Sequence, residues 1–298
     1  RWSSFHHPAI ADREARGAMT GGLRGPDFLG VGMSKSGTTW LDHVLRSHPG
    51  IWLPPIKELH FLDEYFSLVQ RGEQSRYFSP DPYARRRWRR VLWSELKRNL
   101  RFPSALGLAW SFRYLFGERS LERYPELFPS DERVRGEITP GYAVLSEESI
   151  VQVRRHCPNA RVILLFRDPV ERVWSHARME LAGRCGRSVD AIPVEELERF
   201  LFEDEGVQRR QSYVDILDRW CNVFGDRQVF VGLLDDIEER PAALVSELLD
   251  FLAVPAGLND PGRLSTRTFV GPAGRIPPAI HARLIDRHAG EAVALCQR

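Results

Sequence analysis

The sequence predicts an α/β fold in which helices cover both faces of a central parallel sheet. Short apolar runs alternate along the chain with segments of helical periodicity, as they do when crossover helices join parallel strands. The run Val162 to Phe166 is apolar throughout and bounded by polar residues, which is typical of a strand buried on both faces. A second run, Phe28 to Gly32, leads into a glycine-containing turn and the start of a helix. Together these patterns indicate a three-layer architecture.

The first half of the chain contains a lead-in, a helix and an insertion. Residues 1–26 are polar and rich in Gly and Arg, which predicts an irregular segment. Trp40 to Leu45 place apolar residues at helical spacing, and His48 to Gly50 supply the Pro and Gly that end helices. Residues 72–130 are helical and aromatic in pattern, so we expect a helical insertion over the sheet.

The second half continues the alternation. Arg133 to Pro140 predicts a short strand that turns into a loop, and Glu147 to His156 predicts a helix. Ser212 to Phe224 forms a further helix with one apolar stripe, and Gln228 to Leu234 supplies another strand. With 298 residues and 43% hydrophobic composition, the chain is expected to form a single domain over residues 1–298.

Charge and cysteine content limit the expected partners and compartment. The net charge is only +2, so we expect neither a nucleic-acid nor a membrane partner, and basic residues are expected to act locally. The four cysteines are widely spaced without a Cys-x-x-Cys pair, which favours a reduced, cytoplasmic protein and argues against a metal site. No run of about eighteen apolar residues is present. The oligomeric state stays open.

The turn after the first strand has the features of an anion site. In a Walker A loop the lysine directly precedes the Ser or Thr that holds magnesium. Here Lys35 comes two residues before Gly37, and Thr38 and Thr39 open the helix. The backbone N–H groups of such a turn and the positive end of the helix dipole form a cradle for a phosphate ester. The displaced lysine indicates a chemistry that differs from magnesium-dependent phosphoryl transfer.

This turn, Lys-Ser-Gly-Thr-Thr-Trp-Leu, resembles the 5'-phosphosulfate loop of sulfotransferases that use 3'-phosphoadenylyl sulfate (PAPS). The resemblance implies that the loop residues bind the co-substrate; they are Lys35, Ser36, Gly37, Thr38, Thr39 and Trp40. Sulfonate transfer leaves negative charge on the donor's bridging oxygen, and one well-aimed donor there contributes about 3 to 4 kcal/mol. Lys35 is the candidate for this catalytic role; the alternative is a solvated loop lysine.

A second block, Arg161 to His176, resembles the 3'-phosphate block of the same family. The resemblance implies that Arg167 and Ser175 hold the 3'-phosphate, the arginine as a charged fork and the serine as a hydroxyl donor. An alternative is that Arg167 only pairs with Asp168 or Glu171 at the start of the helix.

The candidates for the general base lie in the segment Lys57-Glu58-Leu59-His60-Phe61. This segment resembles the Lys-Glu-Pro-His-Phe-Phe patch of heparan-sulfate-type sulfotransferases. The resemblance implies that Glu58 is the base. His60 is the competing candidate, because cytosolic sulfotransferases use a histidine. Lys57 is a catalytic candidate that steadies the leaving oxygen or the sulfonate; alternatively it forms a surface pair. Ile138 occupies the position at which heparan-sulfate-type enzymes carry a lysine. This difference argues against a glycosaminoglycan as the acceptor.

Two further segments have weaker signals. Phe269 to Arg275 resembles the late Gly-Arg loop that closes over the nucleotide in this family, so Arg275 is a candidate ligand; a plain surface loop is the alternative. The arginines from Arg85 to Arg90 are predicted to form a solvated helix face, with an acceptor channel as the alternative. Trp88 and Trp93 are predicted to be packing residues.

The resemblance as a whole implies a PAPS-dependent sulfotransferase with a P-loop-like three-layer fold. It implies transfer of a sulfonate to a hydroxyl of a small-molecule, sugar or carrier-tethered acceptor, with release of adenosine 3',5'-bisphosphate and without a metal. The alternatives are a P-loop kinase-like phosphotransferase and a nucleotide-binding protein without turnover.

Overall fold

The computed structural model describes residues 24–71, 82–185, 191–257 and 274–298. Within these ranges a single five-stranded sheet has the order β2-β3-β1-β4-β5, and every neighbouring pair is parallel. The strands are β1 (Phe28–Gly32), β2 (Ile51–Trp52), β3 (Val134–Ile138), β4 (Arg161–Phe166) and β5 (Val229–Leu233). The predicted parallel α/β class is confirmed.

Twelve helices are described around this sheet. They are α1 (Thr38–Arg46), α2 (Phe61–Arg71), α3 (Pro82–Arg101), α4 (Ala105–Phe116), α5 (Glu147–His156), α6 (Pro169–Cys185), α7 (Val194–Phe202), α8 (Glu205–Gln208), α9 (Tyr213–Phe224), α10 (Leu234–Glu239), α11 (Pro241–Leu252) and α12 (Pro278–Gln297). Short 3₁₀ turns follow at Tyr124–Leu127, Pro140–Val144 and Asp226–Gln228.

The sheet separates two apolar cores because successive side chains of a strand point to opposite faces. Leu29 and Val31 of β1 join a core with α5 and α9, whereas Phe28 joins the other core with α1 and α11. Trp220 of α9 is fully buried in the first core, as the helical stripe predicted. A third cluster packs α6 against α7 and α12. The three-layer arrangement therefore follows from strands that are apolar on both faces.

Helix α5 occurs with the predicted bounds, and α1 ends at Arg46, just before the predicted stop signal. The two-residue strand β2 was not predicted, because such a short segment shows no alternation. Helices α3 and α4 lie in the segment predicted as an insertion, and residues 72–81 lie outside the described residues. Whether the chain is one domain stays a prediction. None of the described helices combines the length and hydropathy needed to cross a bilayer.

The prediction that Trp93 packs inside the protein is wrong. Its side chain is 61% exposed on α3, whereas Trp88 is half-buried and makes an edge contact with Phe116 at 6.4 Å between ring centroids. The neighbouring Arg86 and Arg89 are exposed, as the prediction of a solvated helix face requires. Local aromatic content therefore did not distinguish the buried face of α3 from its exposed face.

Candidate functional site

The candidate site lies at the carboxyl ends of β1 and β4. These two strands are neighbours, and the chain leaves β1 toward one side of the sheet and reaches β4 on the other. In open α/β sheets such a switch point opens a crevice in which ligands bind. The loop after β1 contains Lys35, and the residue after β4 is Arg167. The topology therefore brings the two sequence blocks to the same edge of the sheet.

Gly37 makes the turn into α1 possible for two separate reasons. Its φ is 90°, in the left-handed region that residues with a Cβ rarely adopt. A Cβ at this position would also lie 2.4 Å from Cδ1 of Ile237. The Leu41 N–H donates to the Gly37 carbonyl at 3.0 Å and starts the helical ladder. The N–H groups ahead of Leu41 have no intrahelical acceptor and are available to an anion.

The hydroxyl residues of this turn differ in exposure. Ser36 is fully buried, and its Oγ has no hydrogen-bond partner among the described residues. A buried hydroxyl without a partner is costly, so its position in a phosphate-type turn fits an anionic ligand. Thr38 is also buried, whereas Thr39 is exposed. The indole of Trp40 packs into the core of α1 and α11, so its backbone N–H is the group that faces the turn.

Lys35 is half-buried and is held by its backbone at the turn. Its φ is 71°, and its carbonyl accepts a hydrogen bond from Nη1 of Arg167 at 3.5 Å. Its Nζ lies 3.7 Å from Sδ of Met179 on α6, a weak acceptor. The ammonium is therefore held between the turn and α6, with Arg167 beside its backbone.

Cationic side chains surround the Lys35 ammonium. Burial lowers the pKa of Lys35, and the charges of Arg178, Arg167 and Lys57 lower it further, while Glu58 acts in the opposite direction. The cations of Arg178, Arg167 and Lys57 thus all act on the Lys35 ammonium, an arrangement that favours a multiply charged anion. Arg178 was not predicted. Its signal was its place on α6 three residues after Ser175, on the same helix face.

The segment with the predicted base candidates reaches the same turn. The Lys57 Nζ donates to Thr39 Oγ1 at 2.9 Å and to Glu58 Oε1 at 3.0 Å. His60 lies between two carboxylates, with Nε2 3.4 Å from Glu58 Oε2 and Nδ1 2.6 Å from Asp63 Oδ2. Asp63 was not predicted. The structure therefore brings Lys57, Glu58 and His60 together, beside the first turn of α1.

The neighbours of Glu58 stabilise the ionised form of its carboxyl group. Burial raises its pKa, but the hydrogen bond from His60, the charge of Lys57 and the hydrogen bond from Lys57 outweigh burial and lower the pKa to about 2. Glu58 is therefore a carboxylate at neutral pH and accepts a proton only weakly while these partners hold it.

Two buried tyrosines fix the backbone around His60, and sequence reasoning missed both. Tyr114 of α4 donates its hydroxyl to the Leu59 carbonyl at 2.8 Å. The Tyr142 hydroxyl accepts from the N–H groups of Phe61 at 2.9 Å and Leu62 at 3.2 Å. Both contacts join residues more than fifty positions apart, so no local pattern could indicate them.

Glu137 of β3 anchors Tyr142 from the other side. Its carboxylate accepts from the hydroxyls of Tyr142 at 2.9 Å, of Thr139 at 2.7 Å and of Tyr124. Burial raises the pKa of Glu137, although these three hydrogen bonds oppose the shift. The network is fully buried, and through Tyr142 it supports the backbone that follows Glu58 and His60.

The predicted 3'-phosphate residues lie on the junction between β4 and α6. Arg167 follows β4, pairs with Glu171 at 3.3 Å and also donates to the Lys35 carbonyl at 3.5 Å; that it holds a 3'-phosphate stays a prediction. Asp168 caps α6 by accepting from the Glu171 N–H at 2.8 Å. The Tyr213 hydroxyl donates to the Arg167 carbonyl at 3.0 Å and fixes the backbone of this arginine. Ser175 lies two turns further along α6 and is buried.

Arg275 is exposed and directly follows Gly274, whose carbonyl accepts from Trp174 Nε1 at 3.2 Å. This contact places the chain before Arg275 against α6 next to Ser175. The rest of the predicted Gly-Arg loop, residues 269–273, lies outside the described residues. The role of Arg275 stays a prediction.

Two other predictions concern residues away from this cluster. Ile138 is buried and packs on Gly30, so its position belongs to the core of the sheet. In the described part of the chain, no group of three or more His, Cys, Asp or Glu residues is placed to hold a metal ion. A transfer without metal stays a prediction.

The whole arrangement can be compared with known proteins. The family model described as "Sulfotransferase family" matches residues 26–259, which is most of the chain and includes both sequence blocks. The chain belongs to the sulfotransferase family. The chain is also similar to an individual protein. The membrane-associated sulfotransferase kil1 of Dictyostelium discoideum is 24% identical to this chain over 280 residues. The match covers 77% of this chain and 56% of kil1, so the chain spans about half the length of that relative.

Solved sulfotransferases share the fold. The sulfotransferase of Alicyclobacillus acidocaldarius superposes with a TM-score of 0.58 and 23% identity, over 92% of this chain and 96% of that protein. The sulfotransferase domain of the Synechococcus PCC 7002 olefin synthase gives 0.51 and 18%, over 95% and 90%. The domain from the curacin biosynthetic pathway gives 0.50 and 19%, over 82% and 77%. At these identities the likeness concerns the fold.

Proposed function

We propose that the chain transfers a sulfonate group from PAPS to a hydroxyl acceptor. The observation that carries this proposal is the convergence of Lys35, Arg178, Arg167 and Lys57 at a glycine turn. The same turn contains the buried hydroxyl of Ser36, which has no hydrogen-bond partner among the described residues. When bound, PAPS would supply the sulfonate and leave as adenosine 3',5'-bisphosphate. The donor set of ammonium, guanidinium, hydroxyl and backbone N–H groups fits an ester with several negative charges.

The residues of the turn bind and orient the charged end of the donor. The N–H groups at the start of α1 and the Ser36 hydroxyl hold the 5'-phosphate, and Arg167 with Ser175 holds the 3'-phosphate. Lys35 neutralises the oxygen that gains charge as its bond to sulfur breaks, and a donor of this kind contributes about 3 to 4 kcal/mol. Lys57, which already contacts Thr39 of the turn, steadies the leaving oxygen or the sulfonate.

Glu58 is the proposed general base, because it lies between Lys57 at the donor turn and His60. His60 and Lys57 both lower the pKa of Glu58, so once Lys57 turns to the anionic donor, Glu58 loses one of these two partners and becomes a better proton acceptor. One observation favours His60 as a second candidate: Asp63 holds its Nδ1, as in a catalytic triad, with Nε2 directed toward Glu58.

Glu58→Gln and His60→Asn separate the two base candidates. We expect Glu58→Gln to lower kcat by about 10² to 10⁴, the range of general-base catalysis, and His60→Asn to cost less. Binding of adenosine 3',5'-bisphosphate, measured by calorimetry, serves as the control and should be preserved in both variants. A larger loss of kcat in His60→Asn would transfer the role to the histidine.

The proposed acceptor is a small-molecule, sugar or carrier-tethered hydroxyl. Two structural neighbours are named as domains of a biosynthetic pathway and of an olefin synthase, which supports an acceptor from biosynthesis. The core position of Ile138 supports an acceptor other than a glycosaminoglycan. A cytoplasmic location is proposed from the widely spaced cysteines, of which Cys157 and Cys221 are free and buried.

The decisive experiment measures donor binding and transfer separately. Calorimetry should show that adenosine 3',5'-bisphosphate binds more tightly than 5'-AMP, and that Arg167→Ala removes most of this difference while 5'-AMP binding changes little. Labelled PAPS with a panel of hydroxyl acceptors, followed by mass spectrometry, should yield a sulfated product. Equal binding of the two nucleotides, or transfer of phosphate from ATP in the presence of magnesium, would overturn the proposal.

A further inference from the structure

Helices α3 and α4 form a hairpin, Pro82–Phe116, that exposes many large apolar side chains and buries several polar ones. Eight of the thirteen exposed large apolar side chains in the described residues lie on it, so the exposed apolar surface is concentrated in this one element. They are Trp93, Leu96, Leu100, Phe102, Leu106, Leu108, Phe112 and Phe116. Such a concentration on the surface of a soluble domain marks an interaction site.

Three polar residues of the hairpin lie inside it. Glu95, Asn99 and Ser111 are buried between the two helices. The Ser111 hydroxyl donates to Glu95 Oε2 at 2.6 Å, and Asn99 Nδ2 donates to Ser111 Oγ at 2.9 Å. Trp110 of α4 donates to the Leu127 carbonyl at 2.8 Å and fixes the hairpin to the body of the protein. These bonds hold the apolar side chains outward.

The most exposed apolar side chains surround the turn of the hairpin. Leu100 is 75% exposed and Leu106 is 84% exposed, and Phe102 lies in the connection between them. Trp93 and Leu96 continue the same stripe of α3, because residues three and four positions apart share a helix face. The apolar face is therefore most exposed at the tip of the hairpin, which is the turn from Leu100 to Leu106.

Cations flank this apolar face. Residues 82–116 contain nine Lys and Arg residues and one acidic residue, Glu95, which is buried and paired with Arg98 at 2.6 Å. Exposed arginines adjoin the apolar stripe of α3; they are Arg86, Arg89, Arg90 and Arg101. Because the whole chain has a net charge of only +2, the rest of the sequence carries more acidic than basic residues. The basic hairpin and the acidic remainder nearly cancel in the net charge of +2. For that reason the net charge alone led to the expectation of no membrane partner.

We propose that the tip of the α3–α4 hairpin docks on the surface of an anionic lipid bilayer. A basic helix with Trp, Leu and Phe on one face is the pattern of segments that lie in the interface of a membrane. The arginines match the negative surface potential of anionic lipids, while the exposed apolar tip enters the boundary of the acyl chains. A second copy of the chain is a poorer occupant, because pairing two such tips would bring like charges together.

Vesicle flotation with the full chain tests this proposal. Wild type should bind vesicles that mix phosphatidylglycerol with phosphatidylcholine at least tenfold better than vesicles of phosphatidylcholine alone. Binding should weaken as salt rises from about 0.1 M to about 0.5 M. Failure to bind the anionic vesicles would overturn the proposal.

Matched variants locate the binding face. Combined Leu100→Ser, Phe102→Ser and Leu106→Ser should reduce vesicle binding at least tenfold, and combined Arg86→Gln, Arg89→Gln and Arg90→Gln should remove the preference for anionic vesicles. Combined Ile285→Ser and Val293→Ser makes the same kind of change at exposed apolar positions of α12 and should leave binding unchanged. Thermal melts confirm folding, since all these side chains are exposed.

Two outcomes would assign the face differently. If the α12 variant loses binding as strongly as the tip variant, the membrane contact is not specific to the hairpin. If light scattering shows a wild-type dimer that the tip variant dissociates, the face joins two copies of the chain. Sulfonate transfer to a soluble acceptor, measured in the same variants, separates this proposal from the proposed function, because failure of vesicle binding leaves transfer intact.

Discussion

Lys57 and Thr39 are joined by a hydrogen bond of 2.9 Å from Nζ to Oγ1. This contact ties the segment of Glu58 and His60 to the first turn of α1, which opens the anion cradle. The same ammonium donates to Glu58 at 3.0 Å, so one side chain links the donor turn with the base candidate. In the proposed mechanism, Lys57 turns to an anion at the turn and releases Glu58.

Lys57→Met is expected to raise the pKa of Glu58 above its value of about 2, because the charge and the hydrogen bond of Lys57 both lower it. With Glu58 as base, activity requires its ionised form and is lost as pH falls through its pKa. The acidic limb of the kcat/KM profile should therefore move to higher pH in Lys57→Met. Lys57→Arg retains the charge and should move it less; an unmoved limb in Lys57→Met would contradict the coupling.

Lys35→Ala is expected to lower kcat by about 10² to 10³, the effect of removing one well-placed donor to a developing charge. Because burial and nearby cations lower the pKa of Lys35, the ammonium opposes folding at neutral pH, and this cost disappears as pH rises above the ordinary lysine value of 10.5. The variant should therefore melt at the same or a slightly higher temperature at pH 7. A large fall in stability would indicate a structural role instead.

The pH dependence of the wild type provides a separate check on Lys35. Activity requires the ammonium form, so kcat/KM for PAPS should fall as pH rises through the lowered pKa of the free enzyme. A bound anion stabilises the ammonium, so the alkaline limb of kcat should lie at higher pH than that of kcat/KM. Coincident alkaline limbs would show that Lys35 does not face the donor.

Tyr142→Phe is expected to lower kcat while leaving the affinity for adenosine 3',5'-bisphosphate unchanged. It removes the acceptor of the Phe61 and Leu62 N–H groups, and leaving buried donors unpaired costs about 1 to 3 kcal/mol of stability. Tyr124→Phe is the matched control, because the Tyr124 hydroxyl donates to Glu137 but, in the described part of the chain, does not bond this backbone. Equal losses of kcat in both variants would assign the effect to Glu137 rather than to the segment of Glu58 and His60.

The sequence predicted those parts of the fold and site that depend on local order. Strand β4 and helix α9 follow from runs and stripes of apolar residues, and the turn at Gly37 follows from its position between a strand and a helix. Asp63 and Tyr142 could not be predicted, because their contacts depend on how distant segments pack. Arg178 is intermediate, since helical spacing from Ser175 could have indicated it.

The wrong prediction for Trp93 has a related cause. Its helix carries apolar residues on an exposed face and the buried Glu95 on the opposite face, so composition alone reverses the inside and the outside. Only the pairing of Glu95 with Arg98 and Ser111 shows which face packs. Periodicity located the helix in this case, and the burial of polar groups determined its orientation.

Gly37→Ala is expected to destabilise the protein and to abolish binding of adenosine 3',5'-bisphosphate, because two separate strains meet at this residue. The added Cβ would lie 2.4 Å from Ile237 Cδ1, and the φ of 90° is unfavourable for any residue with a Cβ, at about 1 to 2 kcal/mol. Urea unfolding of Gly37→Ala and of Gly37→Ala combined with Ile237→Ala separates the two terms. Ile237→Ala alone supplies the reference for the double variant.

The double variant should recover the steric part of the loss but not the backbone part, because removing the Ile237 side chain makes room for a methyl group without changing φ. Nucleotide binding should therefore remain weak, since the N–H groups of the turn are aimed by the backbone conformation that alanine resists. Full recovery of both stability and binding would mean that space alone requires glycine here. In that case the left-handed turn would not be what aims the cradle at its anion.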